Sequence, residues 1–121
     1  LKTLWEDELT DLYGRPIRRP VIINGEAVME DGRPIWEALT VKMVCAESLV
    51  NHQEGDEKHS YADKKRRSTL AKAILKAKQN EDVPMDPKAL AELTDRINKG
   101  GWHSVITTDV TEMLTAVLQA K

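Results

Sequence analysis

The chain has 121 residues, enough for one ordinary domain and too few for two independent cores. Hydrophobic residues make up 40% and charged residues 31%, and no apolar run approaches the ~18 residues of a membrane span, which excludes a membrane-crossing helix. The net charge of −2 hides three blocks: −6 over residues 1–57, +7 over 58–80 and −3 over 81–121. Leu1 to Glu8 is too acidic and too short in apolar length for a secretory signal. The single cysteine, Cys45, excludes an internal disulfide and leaves too few soft ligands for a structural zinc site.

From Leu1 to Tyr13, apolar residues at 1, 4, 5, 9 and 12 have roughly helical spacing, which predicts a short helix or else an arm that docks on something else. Gly14 followed by Arg15-Pro16 ends it. Pro16, Pro20 and Pro34 then rule out a continuous helix up to Thr40. Val21-Ile22-Ile23 is β-branched, Asn24-Gly25 is a strong hairpin turn, and Ala27-Val28-Met29 can return antiparallel. A second turn at Asp31-Gly32 leads into Ile35 to Leu39, so the spacing predicts two or three short strands. Gly-Arg-Pro-Ile occurs at 14–17 and again at 32–35, as one turn chemistry used twice would produce.

Helical signals follow. Thr40 is placed to cap a helix reaching Asn51, with Val41, Val44, Cys45, Ser48 and Leu49 on one face. After a polar loop at 51–59, Ser60 and Asp63 form a capping-box start for a helix reaching about Lys78. Leu70, Ile74, Ala77 and the stem of Arg67 should face inward, with Lys65, Lys72 and Lys76 opposite. Asp86-Pro87 and Gly100-Gly101 bound a third helix, whose inner face is Ala89, Leu90, Leu93 and Ile97. A last helix, from Ser104 or Thr108 to Gln119, should bury Ile106, Val110, Met113, Leu114, Val117 and Leu118. The predicted fold is mainly α in the α+β class. A helical domain of about four helices (40–121) follows an extended Pro/Gly-rich N-terminal arm with a short β-hairpin (1–39).

Chemical motifs are sparse. The six glycines form no phosphate-cradling loop, and His52, His59 and His103 do not combine with Cys45 at a zinc-like spacing. Cys45 falls on an apolar helix face, where a thiol behaves as a small inert hydrophobe. Asn24-Gly25 and Asp31-Gly32 lack the alternating oxygen ligands of a calcium loop. The expectation is a non-enzymatic chain with no cofactor and no metal. With no Phe present, Trp5, Trp36 and Trp102 either supply core bulk or act as contact anchors, Trp5 leaning most towards contact. The basic block can face an anionic partner, with Lys65, Arg66, Lys72 and Lys76 on phosphates, or be an ordinary solvated helix face.

The order of motifs resembles a group of small helical proteins of tailed bacteriophages and prophages. The resemblance runs through Asp11-Leu12-Tyr13-Gly14-Arg15-Pro16-Ile17, the helix opening at Leu39-Thr40-Val41, Lys64-Lys65-Arg66-Arg67-Ser68-Thr69-Leu70-Ala71, the acid-capped helix from Asp86, and an apolar last helix. The chain departs from that pattern in a longer Pro-rich hairpin at 18–35 and in Trp102-His103. The resemblance implies a phage setting: a structural or assembly accessory of the virion, capsid- or tail-associated or a tail assembly chaperone. Such a protein would reside in the host cytoplasm or the virion, off the membrane. It would bind other phage proteins or further copies of itself through Trp5, Val21, Ile22, Ile23 and Trp36. The alternatives are a nucleic-acid-binding or transcription-regulating protein using the basic helix, and an inhibitor of a host enzyme using the acidic N-terminal half as a decoy.

Overall fold

The computed structural model describes the backbone of residues 1–119 and the side chains of residues 1–115. Four helices carry the core: α1 (Val41–Val50), α2 (Tyr61–Lys76), α3 (Pro87–Lys99) and α4 (Ser104–Gln119). Two start as their caps dictate. Ser60 Oγ accepts from the Asp63 amide at 3.1 Å, and Asp86 Oδ1 accepts from the Ala89 amide at 2.7 Å with Pro87 in the first turn. The inner face of α1 is buried as its spacing predicts. Arg67 and Ile74 of α2, and Ala77 at its C-cap, are buried as predicted, Ala71 is buried as well, and Leu70 is half-buried. Leu93, Ile97, Ile106, Val110 and Leu114 complete the core, and Trp102 packs against it. Val117 and Leu118, expected to be buried, lie outside the described side chains.

The segment 1–13 is not helical. It runs as an irregular extended strip with single antiparallel bridges at Lys2–Asp82, Glu8–Thr40 and Thr10–Pro16. The strip buries Thr3, Trp5 and Leu9, and the Trp5 indole N–H donates to the Glu81 carbonyl at 2.8 Å. Its carbonyls also start α1: Asp7 O accepts from the Val41 amide and Trp5 O from the Lys42 amide. Those two N–H groups would otherwise be orphaned, and the Thr40 side chain makes no cap bond. An isolated thirteen-residue helix would have been marginal, whereas the strip gains a core for its tryptophan. Residue 39 is accordingly no packing boundary, because Trp5, Leu9 and Leu39 share one core with the helices.

Between Leu9 and Leu39 the chain makes three antiparallel pairs: β1 (Arg18–Pro20) with β6 (Trp36–Ala38), β2 (Ile22–Ile23) with β3 (Glu26–Ala27), and β4 (Met29–Glu30) with β5 (Arg33–Pro34). The stem β1/β6 ends in a closed ring of backbone hydrogen bonds at each end. Below, Leu9 N donates to Leu39 O, Leu39 N to Ile17 O and Ile17 N to Leu9 O; above, Val28 N donates to Val21 O, Val21 N to Ile35 O and Ile35 N to Val28 O. All six bonds are 2.8–2.9 Å. Each ring is a three-way junction that satisfies backbone groups where strands diverge. The Gly-Arg-Pro-Ile repeat is its sequence mark: Gly14 and Gly32 take φ of 76° in the turns, and Ile17 and Ile35 enter the rings. The protein is a small α+β domain of four helices with short antiparallel strand pairs. Among the described residues no helix is long and apolar enough to cross a membrane.

Candidate functional site

Side chains alternate across a strand, so the observed register sorts the hairpin region into two faces. One face holds three cross-strand pairs around the upper junction: Pro20 with Trp36, Ile22 with Ala27, and Met29 with Pro34. All six residues are apolar. Ile22, Met29 and Trp36 are 54–55% exposed, and only Pro20 of the six is half-buried. Large apolar side chains left this open on three strand pairs that meet at one junction mark a contact surface more than scattered surface hydrophobes do.

The opposite face holds the region to the core. Arg19 donates from both terminal nitrogens to the Glu47 carboxylate of α1, at 2.8 and 2.5 Å, and Glu37 lies 3.5 Å from its Nε. Val21, Val28 and Ile35 fall on this side and are half-buried around the ring. The stem is therefore anchored, while the two distal hairpins project. Their turns are built from residues suited to positive φ: Asn24 (52°) with Gly25 (80°), and Asp31 (50°) with Gly32 (76°). Two-residue strands carry little stability of their own, so the junction and these turns hold the shape.

The predicted contact residues separate accordingly. Ile22 and Trp36 share the open face. Ile23, 59% exposed, falls on the other face, and Val21 is spent on the junction. Trp5 is removed from the set: at 0% exposed it is a core residue. Met29, Pro20, Ala27 and Pro34 were missed, although pairing outward from the Asn24-Gly25 and Asp31-Gly32 turns would have found them.

On the second predicted surface, Lys65, Lys72 and Lys76 are exposed and make no ion pair among the described residues. At about 100° per residue they fall within roughly 40° of one another on α2. Arg66 does not join them, because its guanidinium is committed to Glu92 on α3 at 2.9 and 3.2 Å, with Asp63 at 3.6 Å. Arg67 is buried and donates to His59 Nδ1 at 2.9 Å.

The densest polar cluster is internal. Arg96 binds both Asp56 oxygens at 2.9 and 3.0 Å and donates to the Ser48 and Asn51 carbonyls at the end of α1. Asp56 also accepts from the Gln53 amide, and the Trp102 indole N–H donates to Ser48 Oγ at 2.8 Å. The Arg96 guanidinium, helped by the Gln53 amide, holds the Asp56 carboxyl well below the usual carboxylate range despite its burial. With every oxygen engaged, the cluster works as a clamp between α1, the 51–59 loop and α3. Burial pushes the Cys45 thiol up to about 12, so it stays protonated at neutral pH. Among the described residues no group of three or more His, Cys, Asp or Glu side chains could hold a metal ion. No family model, curated protein or solved structure matches the chain.

Proposed function

We propose that this chain is a non-enzymatic protein-binding module, an assembly or structural accessory of a phage particle, and that the open hairpin face is its contact surface. One observation carries the reading: Ile22, Met29 and Trp36 stand together on the solvent side of a layer whose other side is fastened to α1. A Trp flanked by aliphatic residues on a braced support suits a hot spot, since little ordering entropy remains to be lost on binding. The phage setting rests on the resemblance in motif order. The test is Trp36→Asp combined with Ile22→Asp in the phage genome. Loss of the protein from purified virions, or loss of assembled particles, with an unchanged helical circular-dichroism signal supports the reading. Normal particles, or unfolding of the purified variant, overturns it.

A second reading, contact with nucleic-acid phosphates, is favoured by Lys65, Lys72 and Lys76 on one side of α2, which make no ion pair among the described residues. It requires duplex binding that weakens steeply with salt as counterions are released. Absence of retention on a filter at low salt ends it.

A further inference from the structure

Two open surfaces of this chain differ in shape and in charge. The distal hairpins protrude, with Ile22 and Met29 on their apolar face. Their exposed charges are Glu26, Glu30 and Asp31 against Arg33 alone, so the arms are net acidic. The other surface is concave. Between α2 and the run into α3 lies an open groove of about 1110 Å³ whose lining includes Ala62, Leu70, Ala73 and Met85, with Lys65 on its α2 side and Asp82 and Asp86 on the side of the run into α3. Lys72 and Lys76 extend that cationic edge along α2.

We infer that the hairpin arms of one copy dock in the α2–α3 groove of a second copy, joining the chains head to tail. The inference rests on the reading of the hairpin face as a contact surface and names its occupant. Apolar arms meet an apolar floor, and acidic turns meet a lysine edge. The arms are fastened to α1 by Arg19 and Glu47, whereas the groove belongs to α2 and α3. Each added copy therefore presents a free arm and a free groove. Such a contact is heterologous and closes into a ring or grows into a filament. Like-face pairing of two arms would instead bring acidic turns together and leave the lysines unmatched.

Analytical ultracentrifugation decides it. The wild-type chain should sediment above the 13.7 kDa monomer as concentration rises. Ile22→Asp, which spoils the arm, and Ala73→Glu, which places a carboxylate in the groove, should each be monomeric with unchanged helicity. An equimolar mixture should form dimers and nothing larger, because one intact arm and one intact groove remain. A wild-type chain that stays monomeric overturns the inference, as does a mixture that fails to pair. Association of Ala73→Glu as strong as wild type overturns it in favour of arm-to-arm contact. If the wild type is monomeric but the Trp36→Asp, Ile22→Asp double variant still drops out of virions, only self-association fails and the contact-face reading stands.

Discussion

Ile17 and Ile35 hold equivalent places in two copies of one hydrogen-bonded junction. Ile17 N donates to Leu9 O and Ile17 O accepts from Leu39; Ile35 N donates to Val28 O and Ile35 O accepts from Val21. The two junctions differ in what they cover. Ile17 packs against the core beside the buried Leu9 and Leu39, whereas the Ile35 junction stands beyond the stem with only half-buried neighbours. The same device thus roots the layer at one end and displays it at the other.

The glycines of the repeat provide the first test. Both sit at φ 76° with open space where a Cβ would go, so Ala at either position adds backbone strain of about 1–2 kcal/mol without a clash. Gly32→Ala should loosen the distal hairpin alone, seen as faster amide exchange at Arg33 and Glu30 with little change in the global melting temperature. Gly14→Ala acts beside the rooted junction and should lower global stability as well.

Trp5 and Trp36 should behave oppositely in urea denaturation. Trp5 is fully enclosed and hydrogen-bonded to Glu81, so Trp5→Ala should cost about 3–5 kcal/mol. Trp36 is 54% exposed, and Trp36→Ala should cost less than about 1 kcal/mol while removing the largest side chain of the contact face. Equal costs would place Trp36 in the fold.

The Arg96–Asp56 clamp is a buried pair, and removing one partner leaves the other charge unsatisfied. Arg96→Ala and Asp56→Asn should each destabilise by about 3–5 kcal/mol in equilibrium unfolding. A change below about 1 kcal/mol in either variant would show that the clamp is dispensable.

Acid should reveal the same clamp. The Asp56 carboxyl titrates lower in the folded chain than in the unfolded chain, where about 3.9 is normal. Its stabilisation is therefore complete above that unfolded value and is lost as pH falls through the folded one. Melting temperature followed below about pH 4 should drop less steeply in Asp56→Asn than in the wild type. Parallel acid limbs would assign the loss to other carboxylates.

Cys45 is 0% exposed and its thiol is pushed up to about 12, so a thiol reagent should label it only when the chain opens. Labelling at neutral pH should be slow and should speed up across the urea transition. Fast labelling without denaturant would mean that α1 opens locally.

The helices were legible locally, because caps, apolar period and breakers act within a few residues: Ser60, Asp86-Pro87 and Gly100 bound α2 and α3 where they stand. Both two-residue turns were equally legible, since Asn24-Gly25 and Asp31-Gly32 favour positive φ locally. Long-range packing alone makes residues 1–13 a strip, since Trp5 and the α1 amides lie 36 and more residues apart and settle each other's conformation. The same packing sorts which apolar residues stay outside. Trp5 and Trp36 look alike in the chain, but one faces a core built from every helix and the other the outer side of a layer whose inner side Arg19 ties to Glu47. Burial depends on what the rest of the chain places opposite a side chain, and no local pattern carries that.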